Sequence, residues 1–333
     1  MVKLVVAYAA DDNYASLAGI SMLSLFENNK EIESLSVYIL SDKICKKNQE
    51  KLRCIGTKYQ REIFFSEIAD MLSFFRRSGA NGYANADDDG YAAYAKLLIP
   101  NLLSNENRVI YLDCDTLVLG SLSELANINL EYRALGMVQD CLHNKYKRFI
   151  NIDEKRRYFN SGVIVFDIPK WKKSSCMERM QWHLSNIRNQ YPLPDQDLIN
   201  VTLYEDIYTL DMKYNYLSQY FLYSYTGLKK VYDLDDSYFY TKDKYVDPSQ
   251  AVVLHFCGQT FIRPWYRNSK HPAKKIYDHY YNLSPWKSET QKQCKWSLQY
   301  KIQYLLWRYS PTSLAVLCGK MMQRAFIKLN YKV

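Results

Sequence analysis

Short apolar runs alternate with longer amphipathic stretches along most of the chain, and this rhythm limits the fold more than any other feature. Runs of four to six residues are too short for helices and fit buried strands: Lys3–Tyr8, Ser36–Leu40, Glu62–Phe65, Arg108–Leu112, Ala134–Val138, Gly162–Phe166 and Ala251–His255. Between them, apolar residues at helical spacing predict helices over Ala15–Glu27, Lys43–Gly56, Ala92–Leu103, Trp171–Asn189, Gln196–Tyr204 and Pro272–Asn282. Strands alternating with helices give an α/β fold, a sheet flanked by helices. Such sheets bind ligands beyond the carboxyl ends of their strands, where strand order reverses. Chemistry is therefore to be sought just after each apolar run.

After Arg108–Leu112 come Asp113, Cys114 and Asp115, and then the chain turns apolar again. Carboxylates beside a buried strand are costly unless something compensates their charge. Asp-x-Asp occurs at 87/89, 113/115, 195/197 and 233/235, so context must separate them. Only 113/115 follows a run that reads as a buried strand. Residues two apart on extended backbone project to one side. Two carboxylates there make a hard-oxygen seat for Mg²⁺ or Mn²⁺; the plainer alternative is a surface turn with solvated acids. No strand is followed by GxGxxG and there is no Walker sequence, so the usual glycine-rich phosphate cradles are missing. A metal at Asp113 and Asp115 could instead neutralise a diphosphate and assist its departure as a Lewis acid.

Three other stretches suit the same site. "VVAYAADDNYA" ends the first strand in Asp11, Asp12 and Asn13, able to hold a base and ribose or simply to cap and turn the chain. "VVLHFCG" puts His255 at a strand end, where it could complete a metal shell or be an ordinary buried histidine. "PLPDQDLIN" gathers Asp195, Gln196, Asp197 and Asn200 at a helix start; capping explains one of these, not the cluster.

The net charge is +9, but the segment from Lys287 to Val333 holds nine Lys/Arg and one acid, which leaves about +1 for the rest. A nucleic-acid binder would spread its cations along a groove, so that class is set aside. In this tail Leu298, Ile302, Leu305 and Tyr309 recur at helical spacing, flanked by Lys295, Lys301 and Arg308. Pro311 breaks the pattern, and Leu314, Leu317, Met321 and Ala325 follow with Lys320, Arg324 and Lys328. Basic amphipathic helices bearing Trp296 and Trp307 suit a membrane interface; the alternative is a helical hairpin packed on the body. The division expected is 1–286 as the catalytic domain and 287–333 as the tail. Eight scattered cysteines without CxxC, and no export signal, suggest reduced thiols in a cytoplasm. No apolar stretch reaches membrane-spanning length. A long loop is expected around Ser78–Gly90, as a lid or a solvated insertion; its "DDDG" is not an EF-hand, because Leu98 stands where the loop's glutamate would be.

Taken together and in order, "AADDNYA", "YAKLLIPNLLSNENRVIYLDCDTLVLGSLSEL", "YFNSGVIVFDIPKW", "LPDQDLIN", "HFCG…RPW" and "HPAKKIYDHYYNLSPWK" resemble glycosyltransferase family 8, the retaining transferases that include lipopolysaccharide galactosyl- and glucosyltransferases. The resemblance runs from about Lys3 to Lys287. It implies a GT-A fold, a Rossmann-like mixed sheet flanked by helices, and UDP-galactose or UDP-glucose as donor. It implies a divalent cation, Mn²⁺ or Mg²⁺, held by Asp113, Asp115 and His255. Ala9, Asp11, Asn13 and Tyr14 match uridine- and ribose-binding positions; Cys114 and Gly258 fall in donor-binding motifs. Lys96 stands where the family commonly has arginine. Asp140, Asn160 and Ser161 match the donor-sugar pocket, and Asp195 and Gln196 the residues beside the anomeric carbon. The family pattern H-x-x-G-x-x-K-P-W departs here: Phe261 takes the lysine's spacing and Arg263 precedes Pro-Trp, so Arg263 is expected to replace that phosphate contact.

The implied acceptor is a glycan or lipid-linked glycan of lipopolysaccharide, capsule or another bacterial surface polysaccharide. The implied place is the cytoplasm, peripheral on the inner face of its membrane. Two rivals stand beside this reading: a metal-dependent nucleotidyltransferase, which would release pyrophosphate, and an inactive transferase homologue that only binds sugar or membrane.

Overall fold

The computed structural model describes residues 3–78, 80, 91–187, 191–235, 238, 245–258 and 261–331. Most of the expected loop at Ser78–Gly90, with its Asp87/Asp89 pair, lies outside the described residues. The chain runs β1 (Lys3–Asp11), α1 (Ala15–Glu27), β2 (Ser34–Asp42), α2 (Lys46–Tyr59), β3 (Glu62–Glu67) and α3 (Ala69–Arg77). A 3-10 stretch, Tyr91–Leu98, leads into α4 (Ile99–Leu102), β4 (Arg108–Leu112), β5 (Thr116–Val118), α5 (Ser123–Asn127) and β6 (Leu135–Gln139). Next come α6 (Asn144–Phe149), β7 (Phe159–Asp167), α7 (Ile168–Lys173), α8 (Cys176–Asn186), α9 (Pro194–Thr202) and β8 (Ile207–Leu210). The last part holds β9 (Tyr216–Leu217), α10 (Tyr225–Tyr232), β10 (Val253–His255), α11 (Lys274–Leu283), α12 (Leu298–Tyr309) and α13 (Thr312–Tyr331). Two compact units divide the chain: Met1–Val138 with Phe159–Leu210, and Gln139–Tyr158 with Asp211–Val333.

The first unit is built on a seven-stranded sheet, among the described residues, in the order β3-β2-β1-β4-β7-β6-β8. β1 pairs in parallel with β2 on one side and β4 on the other, while β7 runs antiparallel to β4, with Arg108 opposite Asp167 and Leu112 opposite Val163. The sheet is therefore mixed, as the fold class requires. Leu4, Val5, Val6, Ala7 and Tyr8 are at most 2% exposed, which explains why β1 reads as an unbroken apolar run: both of its faces are covered. Because β2 and β4 leave β1 in opposite directions, a crevice opens beyond the carboxyl ends of β1 and β4.

Two expected helices differ from their prediction. Trp171–Asn189 is broken at Ser175, whose positive φ of 48° ends α7 before α8 starts. Ala92–Leu103 is mainly the 3-10 stretch, and Pro100 opens the short α4. β5, β8 and β9 have two to four residues each, below the length at which alternation is visible.

In the second unit β9 and β10 pair in parallel, with Leu254 opposite Tyr216 and His255 opposite Leu217. The tail forms two helices separated at Pro311, as its breaking effect predicts, and the residue 286/287 boundary falls within this unit. α13 lies against α10: a Cβ at Gly319 would meet the Tyr223 hydroxyl at 2.5 Å, so a larger residue there would have to displace the Tyr223 side chain. Trp307 of α12 packs edge-on to Phe261 at 5.2 Å. The apolar stripes of both helices face outward instead of into the unit. Leu298, Ile302, Leu305 and Tyr309, and then Leu314, Leu317 and Met321, are all exposed, from 43% at Ile302 to 74% at Tyr309.

Candidate active site

Asp113 directly follows β4. Its N–H donates to the Gly162 carbonyl of β7 at 2.8 Å, and the Thr116 hydroxyl donates to its carbonyl at 2.8 Å. That second bond closes a tight turn through Cys114. The two acids converge because of this turn, not because the strand continues as the sequence pattern suggests. A carboxylate oxygen of Asp113 lies within 4.8 Å of one of Asp115, and both side chains are half-buried. Such a pair of hard oxygens fits a divalent cation.

Asp113 Oδ1 accepts from the Tyr111 hydroxyl at 2.6 Å and from Lys96 Nζ at 3.1 Å. Burial first, and Asp113 next, push the Tyr111 phenol well above its ordinary value, so it stays a proton donor. Cys114 is likewise pushed up by burial and then by the flanking carboxylates; its neutral thiol donates to the Ala9 carbonyl at 3.1 Å, tying the turn to the end of β1.

Lys96 sits on the 3-10 stretch, 5% exposed, where burial alone would lower its pKa. The carboxylates of Asp113 and Asp195 outweigh that effect and raise it, so the ammonium is held charged. Its Nζ is 2.8 Å from Asp195 Oδ2. The Ser161 hydroxyl donates to the same oxygen at 2.8 Å, and the Ser161 N–H donates to Gln196 Oε1 at 3.0 Å. One cation and one serine thus join the metal-type carboxylate to both residues expected at the reacting carbon.

The helix start carrying Asp195 and Gln196 is fixed by its neighbours. Asn200 accepts from the Phe159 N–H at 2.7 Å and donates to the Phe159 carbonyl at 2.8 Å, so α9 is fastened to β7 as if by another strand. The N-cap of α9 is Leu193, so no aspartate of the cluster caps the helix by its side chain; Asp197, inside the first turn, instead accepts from the Leu193 N–H at 2.9 Å. Asn160 turns back to accept from the Gly162 N–H at 2.9 Å. Of the polar cluster in "PLPDQDLIN", Asp197 and Asn200 are structural, while Asp195 and Gln196 meet Lys96 and Ser161.

The end of β1 divides in the same way. Asp11 accepts from the Tyr14 N–H at 2.8 Å and from Asn13 at 3.4 Å, a turn that leaves Tyr14 51% exposed. Asp12 turns to the start of α2, accepting from the Cys45 N–H at 2.9 Å and from Asn48 at 2.8 Å; those bonds hold its carboxyl below the usual range. Asp12 thereby ties the end of β1 to the start of α2.

The second unit carries the remaining expected residues. His255 ends β10, 3% exposed, with Nδ1 at 2.9 Å from Asn215 Oδ1. An amide oxygen accepts, so Nδ1 bears the proton and Nε2, across the ring, has the lone pair a metal needs. Gly258 has φ 76°, a conformation that favours glycine. Phe261 is buried against His271, with ring centroids 4.9 Å apart, and brings no charge to the lysine's spacing. Arg263 donates to the Phe256 carbonyl, next to His255 in sequence, and lies over the Trp265 ring at 5.8 Å. Asp140 follows β6, half-buried, its N–H bonded to the Tyr158 carbonyl at 2.8 Å.

Sequence reasoning missed Tyr111 and Thr116. Tyr111 was legible in principle: it is two residues before Asp113, so the alternation rule puts both on one side.

Known proteins resemble this chain in sequence and in fold. A family model described as Glycosyl transferase family 8 matches residues 5–269. General stress protein A of Bacillus subtilis is 29% identical over 288 residues, 83% of this chain and 92% of the relative. A lipopolysaccharide 1,2-glucosyltransferase of Escherichia coli is 28% identical over 90% of this chain and 84% of its own length. The structure of galactosyltransferase LgtC in complex with donor and acceptor sugar analogs superposes with a TM-score of 0.67 at 21% identity, over 86% of this chain and all of that one, and so shares its fold.

Proposed function

The chain belongs to glycosyltransferase family 8, and from that premise we propose that it transfers a hexose, galactose or glucose, from a UDP-sugar to a glycan acceptor with retention of configuration. The observation that carries this reading is the buried linkage of Asp113 through Lys96 to Asp195, and through Ser161 to Gln196, beyond the carboxyl ends of β1 and β4. It joins Asp113, the Lys96 ammonium, Asp195 and Gln196 in one network, which supports this reading.

In this reading residues 1–286 are the catalytic domain. Ala9, Asp11, Asn13 and the exposed ring of Tyr14 receive the uridine. Asp113, Asp115 and His255 would hold Mn²⁺ or Mg²⁺, which would supply Lewis-acid charge for the diphosphate. Arg263 is assigned to the same phosphates, Asp140, Asn160 and Ser161 to the donor sugar, and Cys114 and Gly258 to donor binding. Asp195 already accepts from Lys96 and Ser161, and each bond lowers the nucleophilicity of its oxygen. That favours attack by the acceptor hydroxyl on the face from which UDP leaves. The Gln196 amide oxygen, oriented by the Ser161 N–H, steadies positive charge on the sugar. A covalent sugar adduct trapped on Asp195 would overturn this choice in favour of double displacement.

The tail, 287–333, associates with the membrane that presents a lipid-linked acceptor of a surface polysaccharide. The outward apolar stripes of α12 and α13 support this, and no described helix is long and apolar enough to cross a membrane.

The test is UDP release from UDP-glucose and UDP-galactose, each with and without Mn²⁺. Turnover of one donor should require the metal and fall by about 10³-fold in Asp113→Ala, as expected when several kcal/mol of charge stabilisation are lost. Pyrophosphate in place of UDP, or no binding of UDP at all, would refute the transferase reading. Arg263→Ala should weaken UDP binding sharply in calorimetry; unchanged affinity would remove Arg263 from the site.

A further inference from the structure

We propose that the second unit docks on a membrane through a surface made jointly by α6, the segment that follows it and the C-terminal half of α13, and that its occupant is the headgroup layer of an anionic lipid bilayer. This deepens the membrane reading above and rests on it. The tail alone is not the contact: α6 lies more than a hundred residues earlier in sequence and is no part of the basic tail.

The first observation is an aromatic knot. The Tyr331 ring, near the end of α13, packs on Tyr146 at 5.0 Å and Phe149 at 5.1 Å, both from α6, and on Phe326 at 5.8 Å. Its inner end is closed, with Tyr146 1% exposed. Its outer end is open: Phe149 is 38% exposed, Phe326 44% and Leu329 80%. Rings left half in water and half in a core are the pattern of side chains that sit at headgroup level.

The second observation is charge. Residues 144–157 hold six cations (Lys145, Lys147, Arg148, Lys155, Arg156, Arg157) and two acids, Asp153 and Glu154. α13 holds Lys320, Arg324 and Lys328 and no acid. Lys145, Arg148, Lys155, Arg156, Arg324 and Lys328 are exposed. Arg148 engages Glu154, with Nε to Oε1 at 2.6 Å, and Arg324 lies 3.9 Å from Asp233, yet cations remain well in excess. Such a surplus around exposed rings is complementary to anionic lipid.

The third observation is that the surface is built. Lys147, 2% exposed, donates to the Glu154 carbonyl at 2.6 Å and the Arg156 carbonyl at 2.7 Å. Its ammonium is spent on holding the segment that carries Lys155 and Arg156 against α6. The cations of that segment are thereby presented beside the aromatic knot and do not wander on a free loop.

The experiment is co-sedimentation of the full chain with phosphatidylcholine vesicles, with and without phosphatidylglycerol. The chain should bind the anionic vesicles and not the neutral ones. Lys145→Glu/Arg148→Glu, outside the tail, and Arg324→Glu/Lys328→Glu, within it, should each lower binding by at least about tenfold, since each surface cation is worth roughly a factor of five. Phe149→Ala should lower it on its own. UDP release in vesicle-free buffer and thermal melts should be unchanged in the α6 double variant, which shows that folding and catalysis are intact. Loss of binding in the α13 variant alone, with the α6 variant and Phe149→Ala at wild-type level, overturns the composite surface while leaving a tail-mediated contact standing. No binding of the wild-type chain to either vesicle overturns both.

Discussion

The strand-end site and the tail helices solvate their side chains in opposite ways. Around Asp113 and Asp195 polar groups are buried and each bond is specific: Tyr111, Lys96 and Ser161 all donate to a carboxylate. On α12 and α13 apolar side chains such as Leu305 and Met321 are given to solvent. The first region accepts desolvation cost for geometry; the second forgoes burial that would have stabilised it. Either departure from the ordinary inside-outside rule needs a ligand to make sense of it.

The sharpest way to break the contrast is to remove the cation on which the first region depends. Lys96→Met keeps much of the side-chain length but takes the ammonium away from Asp195, 2% exposed at its side chain, and from Asp113. Breaking a buried pair on one side costs on the order of 3–5 kcal/mol. The expected result is a marked drop in the urea midpoint. If Lys96→Met unfolds at the wild-type midpoint, the network is not what holds the site.

Much of this site was legible in the sequence, for a physical reason. Strands buried on both faces read as apolar runs, and acids that interrupt such a run, as at Asp113 and Asp115, stand out against it. His255 and the Asp195–Gln196 pair stand out in the same way, as polar residues at element ends. What stayed hidden was division of labour among neighbours. Asp11 and Asp12 are adjacent and chemically identical, yet one shapes the turn before α1 and the other fastens the start of α2, and only the register of β1 decides which. The helix over Trp171–Asn189 was misjudged because a break at Ser175 rests on a single residue's φ. The tail's helical period was clear, but periodicity gives the existence of an apolar face and not its direction. That direction required Trp307 on Phe261 and Gly319 on Tyr223.

A smaller effect tests whether burial in the second unit follows the ordinary rule away from its outward faces. His271 is wedged among Phe221, Phe256 and Phe261, with Nδ1 accepting from the Ala273 N–H at 3.0 Å and Nε2 at 3.2 Å from the Ser218 hydroxyl. Burial, and then the charge of Arg263, lower its pKa from 6.5 to about 3. The unfolded chain therefore takes up a proton near 6.5 that the folded ring refuses until about 3. Between those values the unfolded state binds more protons, so stability must fall as pH falls, by up to about 1.4 kcal/mol per pH unit from this group. Above 6.5 it contributes no slope. Melting temperatures between pH 7 and 4 should decline more steeply for wild type than for His271→Gln, whatever the variant's absolute stability. Parallel curves would mean that the ring titrates normally and is not buried as described.

The smallest effect is the most diagnostic of the contrast. Leu305 is 53% exposed on the outward stripe of α12. If that stripe is given to solvent in the free protein, Leu305→Gln removes almost no buried area, and stability should stay within about 0.5 kcal/mol of wild type. A leucine from the core of the first unit supplies the reference: Leu198→Ala on α9, at 0% exposure, should cost about 2–5 kcal/mol through lost burial and a cavity. If the proposed membrane association of the tail holds, the same Leu305→Gln chain should nevertheless bind anionic vesicles more weakly, because the apolar area it loses is exposed in the free protein. Stability and vesicle binding thus separate at this residue, which no packing role can produce. A large loss of stability in Leu305→Gln would show that α12 turns this stripe inward in solution, and the tail would then obey the same rule as the rest of the chain.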